Sequence, residues 1–262
     1  MSIKPLIFID LDDTLFQTQR RAVPSANARI ASIDQHGQAL AYMQPKQHLF
    51  SDWLFASAEV IPVTARSIEA LRRVKLPFQS AAICSHGGSI IDAQQHIDST
   101  WLKRQQQQLK PLNNCMHNIV AQLQHEALAF GSIRTWLVEE QGLNIYAVAK
   151  QNHHDRPNPL FLTELISKLP SSMLEQFYLH LNGNNLAIIP NVISKKSAVQ
   201  FYLDTHDPLQ QRVVLGFGDS LSDFGFLSCC DWFGMPQHSQ LHRFTEVALQ
   251  RDAQQKGYFG YV

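Results

Sequence analysis

The stretch Pro5-Leu6-Ile7-Phe8-Ile9 is a continuous apolar run, and it stops abruptly at Asp10-Leu11-Asp12-Asp13-Thr14. A short apolar run bounded by a polar loop is typical of a strand buried on both faces of a parallel sheet. Similar runs, each followed by small or polar residues, cover residues 58–63, 80–84 and 212–217. Helix-like segments follow two of them, at residues 67–74 and 220–227. This alternation predicts an α/β fold with a doubly wound, Rossmann-like parallel sheet.

The pattern changes between about residues 86 and 190, where helical and alternating segments follow each other in a separate order. Turn residues join the strands of two predicted hairpins, at Glu140-Gln141-Gly142 and Asn182-Gly183-Asn184. In chain order we expect a helix at 104–126, strands at 132–138 and 143–149, a helix at 159–168, and strands at 175–181 and 185–189. This αββαββ pattern predicts an inserted α+β cap domain at residues 86–189, with a core made of residues 1–85 and 190–262.

Residues 28–57 separate the first two core strands and do not follow the simple strand–helix alternation. Residues 28–34 and 39–43 alternate around His36-Gly37, which predicts a hairpin flap. A short helix is expected after it, at residues 47–56.

Composition narrows the class of protein and its partners. The 262 residues are 45% hydrophobic, and 22 basic side chains balance 22 acidic ones, so the net charge does not favour a nucleic acid or an acidic membrane as a partner. The four cysteines lack a C-x-x-C spacing, as in proteins of a reducing compartment. No apolar run approaches the roughly 20 residues of a membrane span, and too few residues precede the first strand for a secretory leader. We therefore expect a cytoplasmic location.

Asp10, Asp12 and Asp13 form a first acidic cluster at the end of a buried strand. Like charges this close raise one another's pKa unless a cation is present, and a divalent metal would relieve the repulsion. The alternative is that an aspartate only caps a turn or a helix. We favour that alternative for Asp13. For Asp10 and Asp12 we favour a functional role, because residues i and i+2 of an extended chain point to the same side.

A second acidic cluster, Gly218-Asp219-Ser220-Leu221-Ser222-Asp223, follows the apolar run at 212–217. Asp219 and Asp223 are four residues apart and would share a face if helical. Helix capping would explain one of these residues, but it does not explain why both acidic clusters follow strands of one sheet. A few carboxylates completed by water are the ligands that Mg²⁺ prefers, often beside a substrate phosphate.

Two further segments could bind a phosphate next to such a metal. Thr64 ends a strand at Val63-Thr64-Ala65-Arg66-Ser67 and could donate its hydroxyl, although Thr64 or Ser67 could equally be a helix N-cap. Ser194-Lys195-Lys196-Ser197 precedes an apolar helical pattern, and a lysine there could neutralise phosphate charge, although a surface lysine pair is the plainer interpretation.

Taken in order, these segments resemble the motifs of the haloacid dehalogenase superfamily of aspartate-nucleophile phosphohydrolases. The first motif is matched by Asp10-Leu11-Asp12-Asp13-Thr14, the second by Thr64, the third by Lys195, and the fourth by Gly218 to Asp223. The αββαββ insert is similar to the cap of the branch that includes sucrose-phosphate phosphatases and Cof-type phosphatases. The family often has Gly where Asp13, Ala65 and Lys196 stand, and Lys195 aligns better than Lys196 with the third motif.

The resemblance implies a Mg²⁺-dependent phosphatase that acts on a small phosphorylated metabolite, with a sugar phosphate as the expected class. It implies that Asp10 is the nucleophile and Asp12 the general acid and base, and that Thr64 and Lys195 bind the phosphate. Asp10, the Asp12 carbonyl, Asp219 and Asp223 would hold the metal. Candidate recognition residues are Arg66, His86 and Gly87.

Two other functions stay open at this point. A phosphomutase would use the same aspartyl-phosphate, and a catalytically silent protein would keep the fold and use the cap to bind a partner. Histidines such as His153, His154 and His180 are scattered without metal-ligand spacing, so no second metal site is expected.

Overall fold

The structure is a computed structural model that describes residues 3–130, 133–151 and 159–256. The chain divides into two compact units. Unit 1 contains the residues up to Ile97 and those from Lys195 onward, and unit 2 runs from Asp98 to Ser194. His153 and His154 lie outside the described residues, as does Ser132, the first residue of a predicted strand.

The first part of unit 1 contains seven strands and two helices. They are β1 (Leu6–Ile9), β2 (Gln17–Thr18), β3 (Arg29–Ile33), β4 (Ala39–Met43), α1 (Pro45–Ser57), β5 (Glu59–Pro62), α2 (Ile68–Arg72), β6 (Ala82–Cys84) and β7 (Ser89–Ile91). Strands β2, β4 and β3 form a small antiparallel sheet, in that order, and α1 follows it. The predicted flap hairpin and the helix after it are thus confirmed, and a bond from the Gln44 amide to Gln47 Oε1 (2.8 Å) fixes the start of α1.

Unit 2 has four helices and four strands among its described residues. They are α3 (Ser99–Leu109), α4 (Asn113–Ala127), β8 (Ile133–Glu140), β9 (Leu143–Gln151), α5 (Pro159–Ser167), α6 (Ser171–Leu174), β10 (Phe177–Asn182) and β11 (Asn185–Pro190). The strands form an antiparallel sheet in the order β10-β11-β9-β8. Met116 and Ile119 of α4 lie in one buried cluster with Ile145 and Ile188 of the sheet.

One helix of unit 2 was predicted wrongly. A single helix was expected over residues 104–126, whereas α3 and α4 are separated by a 3₁₀ turn at Lys110–Leu112. Pro111 has no backbone N–H to donate to the preceding turn, and its ring conflicts with a continuous helix. The helix therefore ends before Pro111 and a new one starts after it.

The second part of unit 1 completes the parallel sheet. It contains α7 (Lys195–His206), β12 (Val214–Phe217), α8 (Phe224–Leu227), β13 (Trp232–Gly234) and α9 (Gln240–Lys256). The sheet has the order β13-β12-β1-β5, with all neighbours parallel. The side chains of β1 are at most 1% exposed, as expected of a strand covered on both faces. A parallel bridge between Val63 and Ile83 places β6 beside the end of β5.

The division into units differs from the predicted boundaries at residues 86 and 189. Strands β6 and β7 pair with each other, so the Ser85–Gly87 turn connects two strands of unit 1. Within the described ranges, no helix is both long enough and apolar enough to cross a membrane.

Candidate active site

The polar residues of the two acidic segments lie at the carboxyl ends of adjacent parallel strands. Asp10 follows β1, and its backbone N–H donates to the carbonyl of Phe217 at the end of β12 (2.9 Å). Thr64 follows β5, the other neighbour of β1, and its N–H donates to the Ile83 carbonyl (2.9 Å). In an open parallel sheet this edge is where ligands bind. The pairing of β1 with β5 and β12 therefore brings together residues of the candidate site that are far apart in the chain.

Lys195 links two of the aspartates. Its Nζ lies 2.6 Å from Asp10 Oδ1 and 2.6 Å from Asp223 Oδ1. Asp10 is 6% exposed, Lys195 7% and Asp223 0%, so the three charges are withdrawn from water. Lys196, the next residue of α7, is exposed. Of the two candidate lysines, only Lys195 is in this cluster.

Burial shifts the acidity of these carboxyl groups. Burial raises the pKa of Asp10 well above its ordinary value; the charge of Lys195 opposes this rise, and those of Asp223 and Asp219 add to it. Burial and the nearby Asp223 raise the pKa of Asp219 to about 7. Burial also disfavours the Asp223 anion, but the charge and hydrogen bond of Lys195 outweigh burial and lower the pKa of Asp223. The pKa of Lys195 is raised, because the two carboxylates outweigh its desolvation.

The donor set fits a hard divalent cation. One carboxylate oxygen from each of Asp10, Asp219 and Asp223 lies within 4.8 Å of the other two. Three carboxylates face the single ammonium group of Lys195, and a divalent ion would relieve the repulsion that raises the pKa of Asp10 and Asp219. The Asp12 carboxylate is not in this group. It is bound by Arg66 instead.

The loop before α8 is held by Asp223. Its Oδ2 accepts hydrogen bonds from the Asp219 N–H (3.2 Å), the Ser220 N–H (3.0 Å) and the Ser220 hydroxyl (2.7 Å). A Cβ on Gly218 would lie 2.6 Å from the Asp223 Cβ, so only glycine fits there. The helix predicted from residue 220 was wrong: α8 starts at Phe224 because Asp223 folds the preceding amides into a turn. This turn, and not a shared helical face, brings Asp219 and Asp223 together.

The segment after β5 places Thr64 and Arg66. Thr64 is 1% exposed, and its Oγ1 accepts a hydrogen bond from the Arg66 N–H (3.1 Å). The Arg66 guanidinium donates through Nε and Nη2 to the two oxygens of Asp12, each at 2.7 Å. Ser67 is the N-cap of α2, since its Oγ accepts from the Ala70 N–H (3.1 Å). The capping function suggested by the sequence thus belongs to Ser67.

His86 and Gly87 lie in the turn between β6 and β7. Ser85, His86 and Gly87 have φ angles of 52°, 59° and 97°, and all three residues are buried. A left-handed backbone is uncommon for residues other than glycine, and two in succession store strain. The His86 N–H donates to the Thr64 carbonyl (3.0 Å), which ties this turn to the segment after β5.

The structure also shows contacts of Thr14 and Asp13 that were not predicted from the sequence. The Thr14 hydroxyl lies 3.5 Å from Asp10 Oδ2 and 3.5 Å from Asp219 Oδ1, so it bridges the two acidic segments. Asp13 adopts a φ of 64° and pairs with Arg21 at 3.4 Å. Its left-handed backbone explains why glycine suits this position. In the sequence, the only indication that Thr14 contacts Asp10 is that the two residues are four positions apart. The turn after β1 is what brings the Thr14 hydroxyl close to the Asp10 carboxylate.

Comparison with known proteins identifies the fold. No family model matches the chain, and no curated protein sequence matches it. The sucrose-phosphatase from Synechocystis, solved with sucrose and phosphate, is similar over 96% of this chain and 99% of its own, with 17% identity and a TM-score of 0.52. The C-terminal domain of C. albicans trehalose-6-phosphate phosphatase is similar over 86% of this chain and 73% of its own, with 12% identity and a TM-score of 0.55.

A trehalose-6-phosphate phosphatase related protein is similar over 95% of this chain and 99% of its own, with 15% identity and a TM-score of 0.50. At such identities the likeness is one of fold. The predicted fold class, a doubly wound α/β core with an inserted α+β unit, is confirmed.

Proposed function

We propose that the protein is a Mg²⁺-dependent phosphohydrolase that cleaves the phosphate ester of a small metabolite, with a sugar phosphate as the substrate class. The observation that carries this proposal is the buried Lys195 between Asp10 and Asp223, with Asp219 beside them, at the carboxyl ends of two parallel strands. The substrate class is supported by the fold neighbours, which are named for sucrose and trehalose phosphates.

The proposed reaction has two displacements at phosphorus. In the first, an Asp10 oxygen attacks the phosphorus, the bond to the ester oxygen breaks, and Asp12 gives its proton to the departing oxygen. This leaves an aspartyl-phosphate on Asp10. In the second, Asp12 takes a proton from water, the water oxygen attacks the phosphorus, and the bond to Asp10 breaks. Inorganic phosphate is released, and both aspartates return to their starting states.

The remaining residues would bind the phosphoryl oxygens. Thr64 Oγ1 accepts a hydrogen bond from the Arg66 N–H, and its own O–H would donate to a phosphate oxygen. Lys195 offers a buried ammonium group. Mg²⁺, held by Asp10, the Asp12 carbonyl, Asp219 and Asp223, would offset negative charge on the transferring group.

The two units would have different functions. We propose that unit 1 is the catalytic core and that unit 2 is a cap that selects the substrate, with His86 and Gly87 contributing to recognition. None of the four cysteines forms a disulfide, and we propose the cytoplasm as the location of the protein.

Phosphate release from a panel of sugar phosphates and other esters, with and without Mg²⁺, tests this function. Wild type is compared with Asp10→Asn and with Asp204→Asn, an exposed aspartate of α7 as the matched control. We expect Mg²⁺-dependent release in wild type and Asp204→Asn, and none in Asp10→Asn. Transfer of the phosphoryl group to a second sugar hydroxyl would indicate a mutase. Binding of esters without turnover would indicate a silent binding protein.

A further inference from the structure

Arg66 holds both carboxylate oxygens of Asp12. Its Nε donates to Oδ2 and its Nη2 donates to Oδ1, each at 2.7 Å. This is the two-point geometry in which a planar guanidinium fixes the plane of a carboxylate as well as its position. The Arg66 side chain is 12% exposed and that of Asp12 is 38% exposed. Arg66 is therefore the more buried of the two partners, and Asp12 is the more exposed.

The surroundings of Arg66 hold it in this position. Its N–H donates to Thr64 Oγ1 (3.1 Å), and its carbonyl accepts from the Ser85 N–H (2.8 Å). The guanidinium carbon lies 5.2 Å from the centre of the Phe16 ring, and Phe16 is fully buried. Backbone contacts on both sides and an aromatic ring under the guanidinium thus fix an otherwise flexible side chain.

The strained turn after β6 supports the same arrangement. Ser85, whose N–H reaches the Arg66 carbonyl, has a φ of 52°, and the next residue, His86, has a φ of 59° and donates to the Thr64 carbonyl. Such backbone angles persist when the surrounding structure imposes them. Here the turn donates hydrogen bonds to the backbone carbonyls of Thr64 and Arg66, the two residues whose side chains lie at the candidate site.

We infer that Arg66 is a positioning residue that orients Asp12 for proton transfer and does not bind the substrate. This inference rests on the proposed function, in which Asp12 protonates the departing oxygen. A substrate group could recruit the Nε–H and Nη2–H of Arg66 only by removing Asp12 from them. This positioning role is the alternative to the recognition role expected of Arg66 from the sequence.

Leaving-group dependence tests the inference. Release of the leaving group is followed in a single turnover for aryl phosphates of graded leaving-group acidity, because a poorly acidic alcohol needs the proton most. The variants are Arg66→Met, Arg66→Lys, Asp12→Asn and Arg66→Met with Asp12→Asn, and Arg72→Met on the exposed face of α2 is the matched control. Thermal unfolding checks that each variant is folded.

We expect Arg66→Met to lower the rate about 10- to 100-fold for the least acidic leaving groups, within the range of general acid catalysis, and far less for the most acidic ones. KM, measured in steady-state turnover of the same esters, stays within about threefold of wild type, since Arg66 does not bind the ground state of the substrate. Arg66→Lys, which keeps the charge but loses the two-point geometry, recovers part of the rate. In the Asp12→Asn background, Arg66→Met has no further effect.

The opposite pattern would overturn the inference. An arginine that binds substrate would raise KM for every ester, leave the leaving-group dependence unchanged, and add its effect to that of Asp12→Asn. A wild type that hydrolyses no ester would overturn the proposed function itself. If wild type is active but the Arg66 variants lose the same fraction of the rate for every leaving group, only the positioning role of Arg66 is overturned.

Discussion

Lys195 Nζ lies 2.6 Å from Asp10 Oδ1, although 185 residues separate the two in the chain. The ammonium group also contacts Asp223 at the same distance, so one cation serves two buried anions. Such an arrangement is costly to desolvate, and it is more costly to disrupt by removing one partner. We therefore expect the stability of unit 1 to depend on this contact in the candidate site.

Substitution of Lys195 tests this link. Lys195→Met leaves Asp10 and Asp223 buried without their cation, and we expect a loss of about 3 kcal/mol in the free energy of unfolding together with loss of turnover. Urea denaturation measures the stability. Lys196→Met, at the adjacent exposed position, should change neither quantity. Equal unfolding midpoints for the two variants would contradict the account.

Gly218 offers a steric test of the fourth motif. A methyl group there would meet the Asp223 Cβ at 2.6 Å and its Cγ at 3.0 Å. We expect Gly218→Ala to cost about 1–3 kcal/mol and to displace the Asp223 carboxylate, with a matching loss of Mg²⁺-dependent activity. Gly225→Ala is the control, because its Cβ would lie an ordinary 3.5 Å from the Lys196 Cβ. Denaturation and turnover assays on both variants check this.

Metal binding predicts a shift in thermal stability that does not depend on catalysis. A cation that binds only the folded protein stabilises it by mass action, by about 2.7 kcal/mol at 100 times the dissociation constant. We expect Mg²⁺ to raise the Tm of wild type by several degrees and of Asp219→Asn by much less. Asp204→Asn should respond as wild type does. If Mg²⁺ shifts the Tm of wild type and Asp219→Asn equally, this carboxylate cluster is not the metal site.

The four thiols should react slowly in the native protein. Burial raises the pKa of Cys230 to about 12, and it also raises the pKa of Cys115 and of Cys229. A thiol with a pKa near 12 is ionised to only about one part in 10⁴ at pH 8, and the thiolate is the reactive form. Cys84 is fully buried. We expect a disulfide reagent at pH 8 to react rapidly with all four cysteines in guanidinium and with few of them in buffer.

Strand ends and their acids were predictable because a buried parallel strand leaves a distinct apolar run in the sequence. The apolar runs of β1, β5 and β12 indicate strands. The aspartates or the threonine that follow each run indicate the edge of the sheet where the candidate site lies. The resemblance to a known family then ordered the motifs. Short elements such as β13 and the polar helix α9 were not predicted, since neither carries a strong apolar periodicity.

The pairing of Arg66 with Asp12 could not be derived from local pattern. The two residues are 54 positions apart and meet only because β5 lies next to β1 in the sheet. The left-handed backbone conformation of Ser85 and His86 could not be predicted either, because neither serine nor histidine requires it. Contacts between loops depend on strand order, and strand order is a property of the whole sheet.

The insertion of unit 2 also sets the sequence of events during synthesis. The register of β1 pairs Leu6 with both Glu59 and Val214, so one neighbour emerges from the ribosome early and the other only after all of unit 2. Closing a longer loop costs somewhat more entropy than a local pairing does, and pairings between distant segments form slowly. Residues 98–194, with their own buried cluster, can fold while the first strand still lacks its second neighbour. The edge of β1 that β12 covers in the folded protein therefore stays without its strand partner until all of unit 2 has been synthesised.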